Sequence, residues 1–117
     1  MKPADIKPEI PFATLASVDL RVGTIESVHD VAASSKLIRM VVDFGDHTRN
    51  ILAGMKKERS DINAIVGRQA LFVVNLPPRT MAGEVSEGML FDVGFADGIE
   101  PALLSPERPV PNGTRAG

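Results

Sequence analysis

"VDLRVGTIESV" (residues 18–28) decides the fold. Val18, Leu20 and Val22 alternate with Asp19 and Arg21, the two-residue period of a strand with one buried face. After Gly23 the phase slips, and Ile25 rather than residue 24 is the next apolar position. A slip at a glycine predicts a bulge or a sharp bend. A strand bent in its middle can serve both halves of a small barrel.

The segments that follow fit such a barrel. "KLIRMVVDF" (residues 36–44) places Ile38, Met40, Val42 and Phe44 on one face of a second strand. Lys36 shares that parity at the strand start, and Leu37, Arg39, Val41 and Asp43 take the other face. "GDH" is a hairpin signal, and "TRNILAG" (residues 48–54) is the third strand. "MKKERSDINAIVG" (residues 55–67) carries charge and helix formers, with Ser60 or Asp61 as capping residues. "RQALFVVNL" (residues 68–76) is the fourth strand, with Ala70, Phe72, Val74 and Leu76 in phase. Pro77 and Pro78 end it, because neither can donate to a ladder. "GMLFDVGF" (residues 88–95) is the fifth strand.

Residues 1–11 contain Pro3, Pro8 and Pro11 without periodicity and are expected to form a flexible arm. "FATLAS" predicts one helical turn. The tail, "ALLSPERPVPNG" (residues 102–113), adds an apolar segment and a Pro-rich return. The expected fold is all-β with a short helix: a five-stranded OB-fold barrel with an N-terminal turn and a C-terminal extension, spanning residues 12–117. A five-stranded sandwich-like sheet is the competing architecture.

Composition narrows the function. The 117 residues suffice for one domain. There is no cysteine, hence no thiol nucleophile, no thiolate metal site and no disulfide. That fits a reducing compartment, and a cytoplasmic location is expected. No apolar run reaches membrane-spanning length. His29 and His47 each adjoin an aspartate, and neighbouring loop residues are not expected to hold catalytic geometry. Neither a metal site nor a cofactor site is expected, and the chain is expected to be non-catalytic. The sequon Asn112-Gly113-Thr114 is read as chance. Phe44, Phe72 and Phe91 are expected in the core, which leaves few stacking platforms for single-stranded nucleic acid.

The net charge is −2, from 13 basic and 15 acidic residues. Between Lys36 and Arg79, however, eight basic residues face four acids, an excess of +4, and the remainder carries −6. That excess predicts a basic strip on an acidic surface.

"DLRVGTI", "SSKLIRMVVDFG", "RNILAGM", "VVNLPPRTMAG" and "SEGMLF" follow one another in the order and spacing of the tRNA-binding domain family, which the chain resembles over about residues 12–117. That family includes C-terminal appendices of methionyl-tRNA synthetases and stand-alone structure-specific tRNA-binding proteins. "PPRTMAG" and "LLSPERPVPNG" also resemble the CsaA-type export chaperones on the same barrel. The resemblance implies a non-catalytic binding module and a homodimer. Phe12, Leu15, Leu103 and Leu104 are the candidate dimer residues. tRNA is the expected partner, with Lys36, Arg39, Arg49 and Arg79 on phosphates. Asn75, Ser86, Glu87 and Met89 are expected at sugar or base edges. The alternative ligand is an unfolded preprotein or peptide in the same groove.

Overall fold

The computed structural model describes residues 2–117. A short helix α1 (Phe12–Ala16) precedes β1 (Leu20–Asp30), β2 (Ile38–Asp43) and β3 (Thr48–Ala53). A 3-10 turn (Ile62–Ile65) leads to β4 (Gln69–Val73). Four short strands follow: β5 (Arg79–Met81), β6 (Glu84–Ser86), β7 (Met89–Leu90) and β8 (Asp92–Val93). The chain ends with a second 3-10 turn (Phe95–Asp97), β9 (Ala102–Leu103) and β10 (Arg115–Ala116). The main sheet has the order β3-β2-β1-β4-β7 and is antiparallel throughout. It curls into an OB-type barrel.

β1 joins the two halves, as its bend predicts. Leu20 to Thr24 pair with β4, from Leu20↔Val73 to Thr24↔Gln69. Thr24 to Asp30 pair with β2, from Thr24↔Asp43 to Asp30↔Ile38. The bulge itself lies later than the glycine, between Ile25 and Ser27, where Glu26 is left out of register. Gly23 serves a different purpose. A Cβ there would stand 2.5 Å from Val42 Cγ1 and 2.9 Å from Phe44 Cε1. Only a residue without a side chain lets β1 cross this close to the core face of β2.

The inward faces follow the alternation in the sequence. Ile38, Met40, Val42 and Phe44 are buried, with Ile25, Ile51, Ala70 and Phe72 opposite them. Burying each large apolar side chain contributes about 1.5–3 kcal/mol before entropy is counted. Met55 and Ile65 belong to the same core. The 3-10 turn that carries Ile65 is started by Asp61, whose carboxylate accepts the Asn63 N–H at 3.0 Å. The turn is tied to the β1 bend, because Gly67 N donates to Ile25 O and Ile25 N to Arg68 O.

The fifth strand of the sequence reading is broken. β7 pairs with β4, whereas β8 turns away to pair with β9. Phe91 sits at the break and is 41% exposed, against the expectation of a core position. The Pro-rich return brings β10 alongside the start of β1, Leu20↔Ala116 and Arg21↔Arg115. Asn112, the sequon residue, accepts hydrogen bonds from Thr24 Oγ1 at 2.9 Å and Gln69 Nε2 at 3.0 Å.

Gly23→Ala should lower stability by about 1–3 kcal/mol through overpacking against Val42 and Phe44. Urea unfolding measures this, and an unchanged midpoint would remove the close crossing from the account.

Candidate nucleic-acid interface

A sheet with the order β3-β2-β1-β4-β7 leaves the outer edge of β3 with unpaired N–H and C=O groups, and such edges must be covered. Residues 86–88 cover this one, largely through side chains. Ser86 Oγ accepts the Leu52 N–H at 3.0 Å and donates to Gly88 O at 2.9 Å. Glu87 Oε1 accepts the Asn50 N–H at 2.9 Å, and Glu87 N donates back to Asn50 O at 2.8 Å. Gly88 makes the approach possible, since a Cβ there would lie 3.0 Å from Val73 O and 3.2 Å from Ile51 Cδ1.

Ser86 and Glu87 therefore sit inside the barrel closure. Ser86 is 4% exposed, and its hydroxyl both donates and accepts within the protein. The sequence places both residues at sugar or base edges, whereas their side chains act here as surrogate backbone. Arg49 reinforces the same seam. Its Nη1 donates to Val74 O at 2.8 Å and Glu87 O at 3.0 Å, and its Nε donates to His47 Nε2 at 3.0 Å. Asn75 is similarly committed: it accepts the Asp19 N–H at 2.9 Å and donates to Ser17 O at 2.7 Å.

The hairpin β5–β6 stands beside this seam. Its turn residues, Ala82 (φ 50) and Gly83 (φ 81), are both left-handed, as a type I′ turn requires. Arg79 pairs with Ser86 and Met81 with Glu84. The hairpin leans over the outer face of β2, where Arg39 Nε meets Glu84 Oε1 at 3.1 Å. Arg39 also reaches Asn50 Oδ1 at 3.3 Å. Of the basic residues between 36 and 79, Lys56 pairs with Asp30 and Arg59 donates to Pro101 O. Lys36, Lys57, Arg68 and Arg79 are exposed and join no ion pair among the described residues. Arg39 lies on β2 against the hairpin, and Arg79 lies on the hairpin strand β5. Lys36 lies in the loop before β2.

An apolar groove of about 420 Å³ opens at the far end of β3. Leu52, Met81, Met89, Phe91 and Phe95 line it, and Met89 is exposed. Asp92 is its one acidic lining residue. Burial raises the Asp92 carboxyl above the usual 3.8, opposed by the Phe95 backbone N–H and the charge of Arg59.

The four candidate dimer residues divide. Phe12 and Leu15 are 80% and 58% exposed. Leu103 packs against the core, and Leu104 is half-buried with its carbonyl accepting the Leu71 N–H. The hairpin escaped sequence reading because its three-residue strands are too short to show alternation, and "AG" is a weak turn signal beside "NG". The seam escaped it because Ser-Glu-Gly carries no signature of side chains replacing backbone.

Residues 20–115 match the family described as "Putative tRNA binding domain". The fold matches that of a MetRS-related protein from Pyrococcus horikoshii, with a TM-score of 0.86 and 28% identity, covering 95% of this chain and 100% of that one. It matches the chaperone CsaA from Bacillus anthracis str. Ames, with a TM-score of 0.81 and 30% identity, covering 94% and 100%. CsaA from Picrophilus torridus shares the fold at 24% identity, with a TM-score of 0.80 and coverage of 93% and 100%. The chain belongs to the tRNA-binding domain family.

Proposed function

We propose that this member of the tRNA-binding domain family binds folded tRNA, without catalysis, on the face formed by β2, β3 and the β5–β6 hairpin. The observation that carries the reading is the family match over the whole barrel, residues 20–115, on a chain in which Lys36 and Arg79 are exposed and join no ion pair among the described residues. Arg79 is free to fork onto a phosphate, and Arg39 and Lys36 add to the same strip. Double-stranded RNA is recognised mainly by shape and by phosphate and hydroxyl contacts, so an acidic protein with one basic strip suffices. Ser86, Glu87 and Arg49 fix the edge of β3 beside that face.

The apolar groove supports a second reading, an extended apolar peptide. Met81 and Met89 supply the adaptable, polarizable lining that such ligands use, and CsaA from Bacillus anthracis is a relative. Filter binding of bulk tRNA at two salt concentrations separates the two. Phosphate contacts weaken steeply with salt, and apolar contacts do not. Arg79→Ala and Arg39→Ala should weaken all tRNAs alike and lower the salt slope by roughly one unit per lost contact. No tRNA binding at low salt would leave the peptide reading in place.

The active form in this proposal is a homodimer. Helix α1 has five residues and none is buried, far below the roughly 12–15 residues at which a helix becomes even marginal alone. Phe12 and Leu15 need a cover, and a second copy offers the matching patch by two-fold symmetry. Light scattering at low micromolar concentration should give twice the 12.5 kDa chain mass, and the monomer mass would refute the dimer.

A further inference from the structure

A polar cavity of about 300 Å³ lies at the opposite end of β3 from the apolar groove. The turn between β2 and β3, the start of β1 and the end of β4 form its walls. Its chemistry is built on Phe44. The His47 ring stacks on Phe44 with centroids 5.6 Å apart and planes inclined by 25°. The Arg49 guanidinium lies over the same ring, 5.9 Å from its centroid. His47 and Arg49 are joined edge to edge by the Nε to Nε2 hydrogen bond of 3.0 Å. Together they form a hydrogen-bonded layer over a buried phenyl ring, and His47 is 45% exposed.

The protons of that layer are fixed. An arginine Nε always donates, so His47 Nε2 carries a lone pair and its proton sits on Nδ1. Nδ1 donates to Asp46 Oδ1 at 2.6 Å. Neighbouring residues in a turn were not expected to hold such a bond, but the stack on Phe44 fixes the ring. The His47 contact holds the Asp46 carboxyl below the usual 3.8. Arg21 borders the cavity with Nε and Nη2 on Asp19, at 2.8 and 3.0 Å. That bond holds the Asp19 carboxyl down. Arg21 Nη1, Arg49 Nη2 and Asp46 Oδ2 make no hydrogen bond within the described residues.

Two arginines balance two aspartates in this lining, so the cavity does not select a bare phosphate. It presents a stacking surface, arginine donors and a carboxylate acceptor, which matches a neutral planar ring with both an acceptor and a donor edge. Guanine has that pattern: arginine pairs with its O6 and N7, and the carboxylate takes its N–H groups. We propose that the Phe44–His47–Arg49 layer is a stacking site for a single unpaired guanine of the bound RNA, with Arg21 and Asp46 reading its edges; this rests on the tRNA reading above. It supplies the stacking platform that the aromatic content of the sequence did not reveal.

The test is an NMR titration of the full chain with guanosine, adenosine and cytidine 5′-monophosphates and with ribose 5-phosphate. Guanosine monophosphate should shift the amides of His47, Arg49 and Asn75 at millimolar concentration. His47→Ala should weaken it about fivefold or more, the scale of one lost base stack. Asp46→Asn should erase the preference over adenosine monophosphate. The Asp46 side chain is 90% exposed, so Asp46→Asn should keep the wild-type melting temperature, whereas His47→Ala also loses the stack on Phe44 and its loss of binding is read at a temperature where the variant is folded. Equal shifts with ribose 5-phosphate, no shift with guanosine monophosphate, or wild-type affinity in His47→Ala would each overturn the site. Bulk tRNA is the separating arm. Binding of tRNA without guanosine monophosphate binding removes only the pocket. Guanosine monophosphate binding without tRNA binding removes the tRNA reading and keeps a nucleotide site.

Discussion

The edge of β3 is closed by the side chains of a three-residue segment, and the rest of the molecule is arranged around that seam. A backbone ladder would need a continuous strand at residues 86–88. Instead Ser86 Oγ and Glu87 Oε1 take the Leu52 and Asn50 amides. Each such bond contributes only about 0.5–1.5 kcal/mol net, but an amide left unpaired costs about 1–3 kcal/mol. The seam is therefore maintained less by what it gains than by what its loss would leave. Gly88 permits the contact, Arg49 bridges it to β4, and the β5–β6 hairpin projects from it. The apolar groove and the polar cavity occupy the two ends of the strand that it secures.

Much of the fold was legible because period-two alternation is a direct consequence of burying one strand face. The even-numbered run from Ile38 to Phe44 and the Asp61 cap lie where the sequence puts them, whereas the irregularity expected at Gly23 falls between Ile25 and Ser27. Phe91 was misread because nothing local shows that the chain breaks after Leu90 and changes partner. The candidate site was legible only in part. Arg79 and Met89 are exposed, but Met89, which the sequence assigns to sugar or base edges, lines the apolar groove. The sequence assigns Ser86, Glu87, Asn75 and Arg49 to RNA, but in the structure their polar groups bond the protein's own backbone. A polar residue beside a strand end reads the same whether it awaits a ligand or replaces a missing ladder bond. His47 was set aside because sequence adjacency cannot reveal a stack on a phenyl ring three residues away.

The same geometry bears on the proposed tRNA binding by an acidic chain. Asp30, Glu84 and the Pro101 carbonyl occupy Lys56, Arg39 and Arg59. The cations left over lie on loops and on the hairpin, where they are exposed. A half-buried surface pair such as Arg39–Glu84 contributes little stability, so in the proposed function exchanging it for a phosphate costs little. In this account binding strength is set by a few unpaired charges, and specificity by a rigid frame that fixes where they stand.

The central claim is that Ser86 and Glu87 close the barrel. Amide hydrogen exchange, read residue by residue, tests it directly. In Ser86→Ala the Leu52 amide should exchange about tenfold faster or more, while Val42 in the middle of the sheet stays protected. In Glu87→Ala the same change should move to Asn50, and Glu87→Gln, which keeps an acceptor oxygen, should restore protection. Unchanged exchange at Leu52 and Asn50 in both alanine variants would contradict the account.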